Sequence, residues 1–180
     1  MLTGPEFPWT FNNYSVSLTP LTEHFHIEDP FKEHIQFRHV FTDGYEIKSE
    51  YFQYIKSLIV SFEMNTGLKI KKFSRIKANL LMPQKGTTTQ QPHADGMLKI
   101  DGVYESVGKK TLLYYVNDSD GDTVLYDKHF LGEPLGVVKK QQTISPKKGR
   151  AVIFDSNQIH AGCCPTTSDC RIVVNCVFEV

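Results

Sequence analysis

From Lys69 onward, apolar and polar residues alternate with a period of two, which predicts a mainly β protein. The alternating runs are 73–81, 92–98, 110–116, 122–126, 137–144, 150–154, 158–162 and 171–178. Turn chemistry separates many of them: Pro83, Asp101-Gly102, Asp118-Ser119-Asp120-Gly121, Pro146 and Lys148-Gly149. One stretch, 49–63, has the helical period instead. There Tyr51, Ile55, Leu58, Ile59 and Phe62 recur at steps of three and four, and Asn65 and Gly67 supply the stop. The first 45 residues carry Phe7, Trp9, Phe11 and Tyr14 without clear period, with turn signals at Pro8 and Asp43-Gly44. They are expected to wrap the core as short strands and extended segments. About eight strands after one helix predict a mainly β (α+β) fold. Its form is a double-stranded β-helix, or jelly roll, with the helix supporting one sheet. The expected organisation is one domain, 1–180. Residues 1–72 form an N-terminal extension with the supporting helix, and 73–180 form the β-helix core.

Composition narrows the class without naming a function. The 180 residues are 40% apolar and 22% charged, the balance of a globular chain with a substantial core. Lysine plus arginine and aspartate plus glutamate number 20 each, so neither a nucleic acid nor a membrane surface has an overall electrostatic footprint here. The lysine pairs at 71/72, 109/110, 139/140 and 147/148 are dispersed and read as solvated strand ends and turns. No run approaches the roughly 20 apolar residues that span a bilayer. The opening Met1-Leu2-Thr3-Gly4-Pro5-Glu6 lacks the regions of a secretory signal, so a cytoplasmic location is expected. Cys163, Cys164, Cys170 and Cys176 lack C-x-x-C spacing and are expected to be reduced thiols rather than a zinc site.

The chemistry concentrates at His93-Ala94-Asp95, at His160 and at Arg171. Two imidazoles and one carboxylate are the facial triad that holds non-haem Fe(II) and leaves coordination positions open. On a strand His93 and Asp95 point the same way and can share a metal, with His160 arriving from a distant strand. Arg171 opens an alternating strand and suits bidentate capture of a carboxylate near the iron. Asn175 shares its face with Arg171 and Val173, so it too is expected to enter the barrel, where a buried amide needs partners and a ligand carboxylate, as in cofactor binding, or a water supplies one.

Further pieces follow the same order as in a known family. They are Thr111-Leu112-Leu113-Tyr114-Tyr115-Val116-Asn117-Asp118, then Gly121-Asp122-Thr123-Val124-Leu125, then the run 144–155 leading into His160. Over roughly residues 73–180 the chain resembles the Fe(II)- and 2-oxoglutarate-dependent dioxygenases. Within them it is similar to the prolyl 4-hydroxylase branch and its short members from bacteria and phages. The resemblance implies that His93, Asp95 and His160 bind iron. It implies that Arg171 takes the distal carboxylate of 2-oxoglutarate and that the Tyr115 hydroxyl shares it. If Tyr115 points inward, so do Thr111 and Leu113, while Tyr114 points out. Asn79 either lines the co-substrate pocket or makes ordinary strand-edge hydrogen bonds. The chain departs from the family at 80–86, where many members carry a co-substrate-binding tyrosine and this one has none.

The resemblance implies O2-dependent hydroxylation with release of succinate and CO2. The first expectation for the substrate is a prolyl residue in a peptide or protein; the alternative is a free amino acid or another small molecule. A non-catalytic, cupin-like metal- or ligand-binding module is the reading from another class, and it would have no need of Arg171. A nucleic-acid dealkylase is disfavoured by the absence of a basic excess and of an aromatic lid. The loops 84–91 and 96–109, the latter with Met97, Tyr104 and Glu105, are the expected lid and substrate contacts.

Overall fold

The computed structural model describes residues 1–13, 25–96, 99–100, 103–104 and 106–180, of which 99–100 and 103–104 are described by their backbone alone. Tyr14, Met97, Glu105, the Asp101-Gly102 turn and the side chain of Tyr104 therefore lie outside the described residues. In chain order the elements are β1 (Thr10–Asn12), β2 (Phe25–Ile27), β3 (Gln36–Asp43), β4 (Glu46–Ile47), α1 (Phe52–Thr66), β5 (Lys72–Leu81), β6 (Lys99–Ile100) and β7 (Val103–Tyr104). They continue with β8 (Lys110–Tyr115), β9 (Thr123–His129), β10 (Gly136–Val138), β11 (Lys140–Ile144), β12 (Ala151–Asp155), β13 (Gln158–Gly162) and β14 (Arg171–Glu179). The large sheet runs β1-β3-β5-β14-β8-β12, with β4 pairing the end of β3. The small sheet runs β11-β9-β13 and is antiparallel throughout. Together they make the double-stranded β-helix that the alternation predicts.

Period-two patterning sorts the side chains into three apolar layers. On the outer face of the large sheet, Ile76, Ala78, Leu112, Ile172, Val174, Cys176 and Phe178 pack with Ile55 and Phe62 of α1. Between the sheets, Leu113, Tyr115 and Val173 meet Leu125 and Ile144. Beyond the small sheet, Val124, Tyr126, Ile159 and Ala161 pack with Phe25 and Val138, brought there by the parallel pair β2–β10. Both faces of β14 are thus covered, and its first eight residues are all buried.

α1 owes its place to packing rather than to local signals. Its N-cap, Tyr51, makes no side-chain cap bond and its first turn holds no acidic residue. A good cap contributes about 1 kcal/mol. Burying Ile55 and Phe62 contributes about 1.5–3 kcal/mol each, so the tertiary term wins. The helix begins three residues later than expected because Ser49 is engaged outside it: its hydroxyl accepts the Tyr51 N–H (3.2 Å) and bonds the His39 ring (2.7 Å). It also runs past Asn65, whose amide bonds back to Ser61, and stops where Gly67 turns left-handed at φ 71°.

Three other expectations change. The N-terminal segment does more than wrap the core: β3 pairs β5 from Gln36↔Leu81 to Asp43↔Arg75 and occupies what would otherwise be an open sheet edge. The run 137–144 divides, because β10 follows β2 while β11 follows β9. No regular strand forms over 92–96. Pro92 has no N–H for a ladder and Gly96 turns away at φ 64°. Instead 84–95 runs against 156–165 through single backbone bonds. Gln84 N–H bonds Pro165 O (2.9 Å), Cys164 N–H bonds Thr88 O (2.9 Å) and Gln90 N–H bonds Gly162 O (2.9 Å). Among the described residues no helix is long and apolar enough to cross a membrane, and all four cysteines are free thiols.

The turn chemistry at 118–121 ties the loop before β14. Asp120 accepts hydrogen bonds from the backbones of Thr166, Thr167 and Ser168 and from both threonine hydroxyls. These bonds, the Thr166 hydroxyl foremost, hold its carboxyl well below the ordinary carboxylate range. A depressed carboxyl stabilises the fold above its unfolded value, near 4, and the contribution fades as pH falls below that. We predict that Asp120→Asn lowers Tm at pH 7 and that the gap to wild type narrows below about pH 4; a gap independent of pH would assign the loop to packing instead.

Candidate metal and carboxylate site

Lys77 and Asn79 of β5, Thr111, Leu113 and Tyr115 of β8, and Arg171, Val173 and Asn175 of β14 face the space between the sheets, and the chemistry gathers there. His93 and His160 meet through a reciprocal backbone pair: His93 N–H bonds His160 O at 2.9 Å and His160 N–H bonds His93 O at 2.8 Å. Two residues on, Asp95 N–H bonds Ser156 O (2.8 Å) in the turn between β12 and β13. These three bonds bring the expected ligands together. One ligand atom from each of His93, Asp95 and His160 lies within 4.8 Å of the others.

Neighbours fix which atoms face the centre. Nδ1 of His93 lies 3.0 Å from Gln91 O, and Nδ1 of His160 lies 2.8 Å from Gln158 O. A carbonyl only accepts, so both Nδ1 atoms carry the proton and each Nε2 keeps its lone pair for a metal. Phe154 stacks edge-on against His160 with ring centroids 4.8 Å apart and limits its rotation. Burial, with His160 alongside, pushes His93 down to about 3, so its ring is neutral at ordinary pH, as a metal ligand must be.

Asp95 is only 3% exposed and needs its three donors. Oδ1 accepts from Arg75 Nη2 (3.2 Å), while Oδ2 accepts from Thr111 Oγ1 (2.8 Å) and Asn175 Nδ2 (3.2 Å). Burial alone would raise the Asp95 carboxyl. His160, Arg75, His93 and Lys77 around it outweigh that and hold it well below the ordinary range, as a carboxylate. Asn175 therefore enters the barrel as expected, but its amide nitrogen serves Asp95, and its Oδ1 has no hydrogen-bond partner. Thr111 also meets the Ser156 hydroxyl at 2.9 Å. The inward period of β8 pointed to Thr111; nothing in the sequence singled out Ser156 or the pairing of Arg75 with Asp95.

A second polar centre lies across the same cavity, whose walls include Lys77, Asn79, Leu113, Thr123, Val173 and Asn175. Arg171, 4% exposed, donates from Nη2 to Thr123 Oγ1 at 2.7 Å, and the Tyr115 hydroxyl donates to the same oxygen at 2.7 Å. Thr123 thus accepts twice, and its own proton is left for a third partner. Sequence reasoning missed Thr123, although it sits inside the quoted run 121–125. No carboxylate pairs with Arg171 among the described residues, and its Nε has no partner. A buried guanidinium without a counter-ion is costly and fits an anionic ligand. Two glycines make room for it. A Cβ on Gly162 would stand 3.3 Å from Arg171 Nη1, and one on Gly121 would stand 2.5 Å from Cys163 O and 3.0 Å from Arg171 Cδ. The donor set therefore suits Fe(II) at one end and a carboxylate-bearing chelator such as 2-oxoglutarate spanning to the other. Asn79 lines the cavity, and its Oδ1 has no hydrogen-bond partner among the described residues.

Lys77 is the residue the fold places here without an evident task. Protein surrounds it, yet part of its surface stays open to the cavity, and no hydrogen bond or ion pair engages it among the described residues. Burial, then the neighbouring Arg75, pushes its ammonium down to about 7.

Comparison with known proteins agrees with this geometry. An oxidoreductase of the 2OG-Fe(II) oxygenase family from Burkholderia pseudomallei superposes with a TM-score of 0.60, at 12% identity, over 97% of this chain and 74% of that one. The non-haem alpha-ketoglutarate-dependent epimerase SnoN of nogalamycin biosynthesis superposes with a TM-score of 0.55, at 11% identity, over 80% of this chain. The matched part spans 62% of the epimerase's length. The viral collagen prolyl hydroxylase vCPH from Paramecium Bursaria Chlorella virus-1 is 20% identical over 81% of this chain and 80% of that one, with a TM-score of 0.49. At these identities the likeness is one of fold. Among curated protein sequences none matches the chain. The family model for the 2OG-Fe(II) oxygenase superfamily matches residues 79–179, a span holding the three candidate ligands, Tyr115, Thr123 and Arg171. With more than half of its length under that model, the chain belongs to the 2OG-Fe(II) oxygenase superfamily.

Proposed function

We propose that the protein is an Fe(II)- and 2-oxoglutarate-dependent hydroxylase, with His93, Asp95 and His160 holding the iron and Arg171, Thr123 and Tyr115 holding the far carboxylate of the co-substrate. The single observation that carries this reading is the pairing, across one cavity, of a two-histidine, one-carboxylate cluster with a buried arginine that lacks a counter-ion among the described residues. When bound, iron and 2-oxoglutarate activate O2 with release of succinate and CO2 and supply the oxidant that hydroxylates a C–H bond. The chain's own groups do the rest. Gln91 and Gln158 orient the imidazoles. Arg75, Thr111 and Asn175 keep Asp95 ionised and aimed. Leu113 and Val173 exclude water between the two polar ends. A non-catalytic binding module has no use for the Arg171 centre opposite the triad.

The resemblance to the prolyl 4-hydroxylase branch supports a prolyl residue in a peptide or protein as substrate. One observation favours a second reading, a free amino acid or other small molecule: the unpaired Lys77 beside the triad offers a charge that an internal prolyl residue does not use.

Anaerobic titration of the protein with Fe(II) and 2-oxoglutarate should produce the weak visible charge-transfer band of the chelate, and His160→Ala should abolish it. Metal binding without the band would point instead to a binding module. His93→Ala and Asp95→Ala should each cut succinate release by at least a hundredfold, and a full-rate variant at either position would displace the site. Arg171→Met should weaken 2-oxoglutarate binding by at least tenfold, about 1.4 kcal/mol, with Fe(II) affinity retained. Unchanged co-substrate affinity would move the anchor to Lys77 or Arg75.

A further inference from the structure

We propose that Lys77 is the recognition group for an acidic group on the substrate, so that the hydroxylated compound is a small carboxylate such as a free amino acid rather than an internal residue of a chain. The inference rests on the oxygenase reading above.

The argument begins with position. In the register of the large sheet, Lys77 lies opposite Asn175, the residue that bonds Asp95, and two residues from Arg75, which bonds the other oxygen of Asp95. Its side chain therefore faces the same cavity as the triad. Arg171 stands at the far end, where Thr123 and Tyr115 complete a separate carboxylate cradle. Two cationic groups thus face one cavity from neighbouring strands of the large sheet, at different points along them, and only the second is built to hold the end of the co-substrate.

Charge balance distinguishes their roles. The metal's two positive charges less the Asp95 carboxylate leave one. That charge and Arg171 together match the two negative charges of 2-oxoglutarate. Arg75 is already engaged by Asp95 and is partly exposed, with 35% of its side chain accessible. With Asp95 already counted against the metal, Arg75 and Lys77 both remain in excess; Arg75 is hydrogen-bonded to Asp95, whereas Lys77 feels that carboxylate only at a distance and makes no hydrogen bond or ion pair among the described residues. An enclosed ammonium without a hydrogen-bonded anion is destabilising, whereas one that meets a carboxylate on binding forms a charge-assisted hydrogen bond. A neutral or merely structural side chain would fill the same position on β5 at no electrostatic cost, as Leu81 does on the same face. In the cavity without substrate the ammonium is pushed down to about 7, and a bound carboxylate would restore its charge.

The test is protection of one amine. Anaerobic protein loaded with Fe(II) and 2-oxoglutarate is pulsed with acetic anhydride, and acetylation of Lys77 is quantified by peptide mass spectrometry, with exposed Lys147 as internal reference. Acid and amide partners are compared: acetate with acetamide, L-proline with L-prolinamide, and a prolyl peptide blocked at both ends. The expected result is at least threefold slower acetylation of Lys77 with an acid, no protection by the amides or the blocked peptide, and no change at Lys147. Equal protection by acid and amide, protection by the peptide, or no protection by any acid overturns the inference. Full shielding by 2-oxoglutarate alone also overturns it, since Lys77 would then belong to the co-substrate. The charge-transfer band is recorded on the same sample. With the band present, absence of protection defeats only the role of Lys77; with the band absent, the oxygenase reading fails and the inference falls with it.

Discussion

The two backbone hydrogen bonds exchanged by His93 and His160 are the constraint on which the site depends. They join a segment that forms no regular strand to the small sheet, and they put the two imidazoles side by side, with ring centroids 4.5 Å apart. Without them the first ligand would ride on a loop. With them it takes its position from β13, whose place is set in turn by pairing to β9. Pro92 and Gly96 are integral to this arrangement: one interrupts the ladder before the ligand, and the other bends the chain away after Asp95.

Around this contact the structure concentrates unlike electrostatic demands in one buried layer. A carboxylate is kept charged by three donors, an imidazole is kept neutral by burial, and a guanidinium is kept without an anion. Each would be costly in isolation, and under the proposed function two of the three are resolved by iron and the co-substrate. The apolar residues between the two ends raise the strength of every such interaction by keeping water out.

Much of this was legible in the sequence because alternation has only two outcomes per residue. Once Arg171 was set facing inward, Val173 and Asn175 followed, and Tyr115 brought Thr111 and Leu113 with it. The β strands from 110 onward were found to within a few residues for the same reason. What escaped were features without a period. The 84–95 segment pairs through scattered single bonds, so its alternation at 92–98 read as a strand. Thr123 is one threonine among many, until the fold sets it between Tyr115 and Arg171. The place of β3 depends on which edge of β5 is free, and that is a property of the assembled sheet. Asn175 was placed correctly, but its amide turned to Asp95, a partner that spacing cannot reveal across eighty residues.

The strand that carries Arg171 also carries the support of the helix, on alternate residues. Ile172, Val174, Cys176 and Phe178 pack toward α1, while Arg171, Val173 and Asn175 look into the cavity. Insertion or deletion of a single residue within β14 would therefore exchange the two sets at once. It would carry a cation into the hydrocarbon layer beneath the helix and turn aliphatic groups toward the cluster of His93, Asp95 and His160. No partially working register lies between these arrangements. The chain can drift in its loops and its outer surface, but along this strand the packing of the helix and the lining of the cavity are inherited as one trait.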